Sequence, residues 1–143
     1  MSWREVKIGD LGKVVTGKTP PTKMREYFDG NHCFVSPKDL GKDSRYISST
    51  LTKISDLALQ KFKNQVLPKN SIFFTAISYG FGKMGIASAN CLTNQQINSI
   101  IVDPNKFDFI FIFYLLRYNT LMIRAYDSGI VTPIVPKSTF EKI

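Results

Sequence analysis

The chain has 143 residues, 43% of them hydrophobic and 21% charged, with 19 Lys plus Arg against 11 Asp plus Glu, a net charge of +8. That length builds one domain with a real core and is short for two, and the most apolar run, Phe109–Leu116, is far too short to span a bilayer. So strong a basic bias in a small domain favours an anionic partner, phosphate backbones foremost.

In chain order, Trp3, Val6, Ile8, Leu11, Val14 and Val15 supply the first apolar anchors, and a strand is expected over Gly12–Thr16. The loop Gly17-Lys18-Thr19-Pro20-Pro21-Thr22-Lys23 follows. Its glycine and two prolines forbid regular structure. Its lysines and threonines offer phosphate donors with no carboxylate beside them. It is not a phosphate-binding P-loop, because the GxxxxGK(S/T) pattern is absent. A solvated surface loop is the plainer reading of the same residues. Tyr27–Asn31 reads as a turn and His32–Ser36 as a strand that Pro37-Lys38-Asp39-Leu40 ends. Asp39 reads as a cap or turn residue and His32 as structural, since metal-dependent cleavage would need further acids at matched positions. Arg45–Lys53, rich in Ser and Thr, is expected to be a strand. Ser55 has the character of an N-cap, with Asp56 in the first turn and Ile54 and Leu59 at staple positions. The helix is expected over Asp56–Gln65, with Leu57, Ala58 and Phe62 partly buried and Lys61 and Lys63 outward.

Ser71–Ser78 and Met84–Ala89 read as two buried strands of a hairpin. Its tip, Tyr79-Gly80-Phe81-Gly82-Lys83, carries two aromatics and a lysine on glycines. Asn90–Asn94 is a loop and Gln95–Val102 a strand. Asn94-Gln95-Gln96 puts three amides in a row; such groups read base edges, but more often satisfy buried backbone near a strand start. A strongly apolar helix is expected over Phe107–Arg117, with Phe109, Ile112, Phe113 and Leu116 on one face and Phe111 and Leu115 on another, hence buried on both sides. A second helix over Thr120–Tyr126 stops at Asp127-Ser128-Gly129. Ile130–Pro136 is extended, and Lys137–Ile143 begins another helix. The architecture expected is α+β: one compact domain, a curved sheet of short strands with helices packed on one side.

The charge is unevenly distributed along this order. No Asp or Glu occurs from Leu57 to Val102, which holds Lys61, Lys63, Lys69 and Lys83. None occurs from Leu11 to Arg25, which holds Lys13, Lys18, Lys23 and Arg25. One positive face built from these two segments is expected, with the hairpin inside the larger. Cys33 and Cys91 are the only cysteines and no signal peptide opens the chain, so reduced core thiols in a cytoplasmic protein are expected. With His32 the only histidine, neither a Ser-His-acid set nor a thiolate-imidazole metal site is supported. An Asn-Pro-Pro-Tyr-like methyl-transfer run is absent as well. A binding module fits better than an enzyme: lysines on phosphates for register, and loop amides, hydroxyls and aromatics on base edges for sequence.

The order of segments resembles a known family. Ile8-Gly9-Asp10-Leu11, Thr16-Gly17-Lys18-Thr19-Pro20, Tyr27-Phe28-Asp29-Gly30, Phe34-Val35-Ser36-Pro37-Lys38-Asp39-Leu40, Leu67-Pro68-Lys69-Asn70-Ser71-Ile72 and Asn94-Gln95-Gln96 are similar to a target recognition domain of type I restriction-modification specificity subunits. The resemblance covers nearly the whole chain. It implies a non-catalytic module that reads one half of a bipartite duplex DNA target and directs methyltransferase and restriction subunits. S-adenosylmethionine, ATP and magnesium would belong to those partners, with no cofactor in this chain. It also implies a recognition domain over residues 1–136 and the start of a spacer helix over 137–143. Lys18, Thr19, Lys23, Lys38 and Lys83 are the expected phosphate contacts, and Ser78, Tyr79 and Phe81 the expected base-facing group. The alternatives are the recognition domain of a fused restriction-methyltransferase and an RNA- or protein-interaction module.

Overall fold

The computed structural model describes residues 6–41, 43–76, 81–125 and 137–143. Its strands are β1 (Gly12–Thr16), β2 (His32–Val35), β3 (Tyr46–Ile47), β4 (Thr52–Ile54), β5 (Ile72–Thr75), β6 (Met84–Ala87), β7 (Leu92–Thr93) and β8 (Ile97–Val102). They form two sheets, one of order β1-β8-β5-β6-β3 and a smaller one of order β4-β2-β7. In the larger sheet β8 pairs antiparallel with β1 and β5, β6 pairs antiparallel with β5, and β3 runs parallel to β6. The expected strand over Gly12–Thr16 and the expected hairpin are both present.

β5 and β6 are buried at every residue, which identifies a central layer covered on both faces. Alternation along β5 sends Ile72 and Phe74 to one side and Phe73 to the other. Ile72 and Phe74 join Val14, Ile86 and Ile100 beneath three helices, α2 (Phe109–Tyr118), α3 (Thr120–Arg124) and α4 (Lys137–Glu141). Those helices contribute Ile112, Phe113, Leu116, Ile123 and Phe140. Phe73 joins Val15, Val35, Ile47, Leu67 and Ile97 between the two sheets. Beyond the smaller sheet, Phe34 and Ile54 pack with Tyr27 and Ala58 under α1 (Asp56–Lys61). Each fully buried Phe, Ile or Leu in these layers contributes roughly 1.5–3 kcal/mol of transfer free energy. The α+β character holds, but helices cover one face of the larger sheet and a second sheet covers the other. The cause is non-local: β2 pairs antiparallel with β4 and parallel with β7.

Four segments differ from the sequence reading. Asn90–Asn94, read as a loop, contains β7, which pairs with β2 in the smaller sheet. Arg45–Lys53 is not one strand. β3 joins the larger sheet, and the Thr50 hydroxyl then donates to Thr52 O (2.6 Å) and accepts from Phe34 N (3.3 Å). That turn hands the chain to β4 in the smaller sheet. The helix expected to reach Gln65 ends at Lys61, with Phe62 as C-cap and a 3₁₀ turn over Lys63–Gln65. Its start is as read: Ser55 Oγ accepts from Ala58 N at 3.3 Å. Such a cap is worth about 1 kcal/mol. Finally, α2 is buried on one side only. Ile112, Phe113 and Leu116 point inward, whereas Phe111, Tyr114 and Leu115 are exposed, as are Tyr118, Leu121 and Met122 further on. Asp108 caps this helix, accepting from Ile110 N at 2.9 Å.

Two smaller features bear on later arguments. The register of β2 against β7, Phe34 with Leu92 and Val35 with Thr93, sets Cys33 and Cys91 side by side one residue earlier. Both are free thiols. Burial, with Cys33 beside it, pushes the Cys91 thiol up to about 12. Residues 137–143, read as a spacer start, are tied into the domain: Phe140 is fully buried with its ring 5.3 Å from that of Phe74, and Ile8 N donates to Ile143 O at 2.7 Å. Trp3, the Asp127-Ser128-Gly129 stop and the extended Ile130–Pro136 lie outside the described residues.

Candidate nucleic-acid interface

The antiparallel registers decide which loops share an edge. Thr16 lies opposite Asn98, Thr75 opposite Ile97, and Phe74 opposite Met84. The end of β1, the start of β8, the end of β5 and the start of β6 therefore lie at one end of the larger sheet. Three connections leave from that end: the loop after Gly17, the turn at 94–96 and the hairpin tip before Lys83. Neighbouring strands are about 4.8 Å apart, so the edge from β1 to β6 spans roughly 14 Å, comparable with the ~12 Å width of a major groove. A fourth segment joins them. Asn94 N donates to Val35 O at 2.9 Å, which brings the end of β2 and the turn carrying Lys38 to the same place.

Gly17 sets how closely these segments meet. A side chain there would place its Cβ 2.0 Å from Asn94 O and 2.1 Å from Thr93 Oγ1. Only glycine, which has no Cβ, allows the contact. Gly17 N donates to Ile97 O at 3.1 Å, and two residues on, the Thr19 hydroxyl donates to Gln95 Oε1 at 2.7 Å. The structure thus brings the two acid-free segments together.

The expected contact residues divide as follows. Lys18 is exposed, and its Nζ lies 5.5 Å from the centre of the Phe62 ring. That cation–π contact holds the ammonium while leaving it available to an anion. Lys23 and Lys38 are exposed, and Lys83 is half-buried at the hairpin. No carboxylate of a described residue forms an ion pair with these four lysines; the only ion pair among the described residues joins His32 Nε2 and Asp56 Oδ1 at 2.5 Å. Asp39 has a structural task, accepting from Ser36 N at 2.9 Å and from Leu51 N at 3.0 Å, as its cap reading implied. Thr19 is engaged by Gln95. Phe81 turns its ring edge-on to Phe74, 5.7 Å between centres, and packs against the helix-side core. This T-shaped arrangement is one that aromatic pairs favour. Beside it Gly82 takes φ +89°, and a Cβ there would meet Thr120 Cγ2 at 2.4 Å, so the hairpin rests on the start of α3. Ser78 and Tyr79 lie outside the described residues.

Of the three amides, Asn94 satisfies backbone, its Oδ1 accepting from Gln96 N at 3.0 Å, while the exposed Gln95 ties the turn to Thr19. The acid-free runs contained the signal, but the pairing of Thr19 with a residue 76 positions later did not follow from local pattern.

Among the described residues there is no cluster of metal-binding side chains and no helix long and apolar enough to cross a membrane. Residues 1–143 match the family model of the type I restriction modification DNA specificity domain. The chain belongs to this family. As a DNA specificity domain it is 29% identical over 144 residues to the type I restriction enzyme MjaIX specificity subunit of Methanocaldococcus jannaschii, covering 99% of this chain and 33% of that protein. It is 28% identical over 143 residues to the HindI specificity subunit of Haemophilus influenzae, covering 99% and 31%. The specificity domain therefore spans about a third of the length of the curated relatives it matches. Its fold is shared with the S subunit of a type I restriction-modification system from M. genitalium, with a TM-score of 0.68 at 17% identity, covering 99% of this chain and 33% of that one. The HsdS subunit from Thermoanaerobacter tengcongensis superimposes with a TM-score of 0.63 at 14% identity, covering 96% and 31%.

Proposed function

We infer that the chain is the sequence-reading module of a type I specificity subunit. It binds one half of a bipartite duplex DNA target and carries no catalysis of its own. It directs methyltransferase and restriction subunits in the cytoplasm, and S-adenosylmethionine, ATP and magnesium serve those partners. The observation that carries this reading is the convergence of four loops on one end of the larger sheet, with Lys18, Lys38 and Lys83 in no ion pair among the described residues and Gln95 exposed between them. Lysines held this way fix register on phosphates, and the polar groups between them meet base edges. Lys23, Ser78 and Tyr79 extend the same contact surface in this proposal, and Phe81 supports the hairpin from below. Residues 137–143 open the helix that would space this module from its neighbour in the subunit.

Equilibrium titration against short duplexes over a salt series tests the reading. Duplex binding should weaken steeply with salt, with log affinity against log salt falling by about 0.9 per phosphate neutralised, and Lys18→Ala should reduce that slope by about 1. Preference for single-stranded RNA over duplex DNA, or the absence of duplex binding at low salt, would refute it.

A further inference from the structure

We propose that Cys33 and Cys91 form an oxidisable pair that closes, in exchange with a low-molecular-weight disulfide, into an internal disulfide latching β2 to β7. Three observations carry this. The parallel register pairs Phe34 with Leu92 and Val35 with Thr93, so Cys33 and Cys91 are neighbours one residue earlier. Neighbouring strands lie about 4.8 Å apart, inside the roughly 4.4–6.8 Å that a disulfide spans between Cα atoms. Register partners also point to the same face of a sheet. Here that face is the layer between the two sheets, where both cysteines pack with Val35, Ile47, Leu67 and Ala87. Lastly, a cavity of about 100 Å³ is lined by both cysteines together with His32, Ile47, Ser88 and Asn90. Cys33 is half-buried and Cys91 buried, so a reagent meets Cys33 first.

The chemistry of the layer favours this product. A disulfide is uncharged and asks for no hydrogen bond, so an apolar layer holds it without burying a charge. A metal ion would need two buried thiolates, and no group of three metal-ligating side chains gathers there among the described residues. The exchange runs in two steps. Cys33 gives up its proton, and its sulfur attacks one sulfur of the small disulfide R–S–S–R. Cys33–S–S–R forms, and the released RS⁻ takes up a proton. Cys91 then loses its proton, and its sulfur attacks Cys33 Sγ. The Cys33–Cys91 bond forms, and the second RS⁻ leaves and is protonated in turn. Two protein thiols are oxidised, and one small disulfide is reduced to two thiols. Burial pushes the Cys91 thiol up to about 12, so its thiolate is scarce at neutral pH and the second step is the slower. The closed bond ties together two strands whose far ends lead into the turn carrying Lys38 and the turn at 94–96.

Incubation of the folded full-length protein with cystamine tests this, read by intact mass and by peptide mapping without reduction. One cysteamine adduct on Cys33 should appear first. The Cys33–Cys91 bond should follow, at a mass two hydrogens below the reduced protein, and dithiothreitol should reverse it. Cys91→Ala should stop at the Cys33 adduct. Cys33→Ser should leave Cys91 unmodified over the time in which wild type reacts fully. Unfolding midpoints compared with wild type show that each variant is folded, and mapping of the wild-type bond does not depend on either variant. The closed form should unfold at higher urea and with a shallower slope, because the cross-link confines the unfolded chain. An unreactive protein, an adduct on each cysteine with no internal bond, or a bond only between copies of the chain would overturn the proposal. So would closure whose rate rises with urea in step with the unfolded fraction, since the native register would then not be what pairs the thiols.

Discussion

Replacing Gly17 with alanine probes how the interface is assembled. An alanine Cβ would lie 2.0 Å from Asn94 O, 2.1 Å from Thr93 Oγ1 and 2.5 Å from Thr93 O. Two of these three atoms are backbone, which cannot swing aside as a side-chain tip can. Relieving the shortest approach to ordinary van der Waals contact requires the two loops to part by more than an ångström, a large shift in a close-packed interior. Such a displacement separates Gly17 N from Ile97 O, now 3.1 Å apart. Overpacking of this kind costs about 1–3 kcal/mol and loss of a buried backbone hydrogen bond about 1 kcal/mol, so Gly17→Ala should destabilise by roughly 2–4 kcal/mol. Urea unfolding measures it as a shift in midpoint at constant slope. Gly41→Ala is the matched control, because a Cβ there meets only Ser44 Cβ at 4.0 Å. That change should stay within about 0.5 kcal/mol. A Gly17→Ala variant as stable as the control would show that steric fit does not set the closeness of the two loops.

Two further outcomes follow from the core. The folded chain holds the Cys91 proton up to about pH 12, whereas the unfolded thiol releases it from about pH 9, so this contribution is complete below pH 9 and is lost as pH rises towards 12. Urea midpoints over an alkaline series should fall faster for wild type than for Cys91→Ala, by at most about 1.4 kcal/mol per pH unit; parallel curves would refute the raised thiol. On α2, Phe113→Ala should cost about 3–5 kcal/mol, and on its outer surface Tyr118→Gln about 0.5 kcal/mol or less, read in the same unfolding assay; equal losses would mean both sides are buried.

Local chemistry made much of this fold legible. Hydrophobic patterning between turn residues placed β1 and the β5–β6 hairpin, and side-chain capping placed the start at Ser55. What local pattern could not show was pairing between distant segments. The parallel contact of β2 with β7 creates the second sheet, and nothing in His32–Val35 announces Leu92–Thr93 as its neighbour. The same limit divided Arg45–Lys53, where the hydroxyl of Thr50 redirects the chain between sheets. The exposed side of α2 escaped notice because Phe111, Tyr114 and Leu115 share the composition of the buried side. The acid-free runs marked segments that the structure brings together. Whether a threonine or an amide there served the backbone or the surface depended on the close approach at Gly17, which is a tertiary fact.

Backbone amide chemical-shift mapping during titration with a short duplex tests the central claim most directly. The account predicts that the perturbed amides cluster at residues 17–19, 36–39, 81–83 and 94–96, at one end of the larger sheet. Perturbations centred on the exposed side of α2 and α3, with the sheet edge silent, would contradict it.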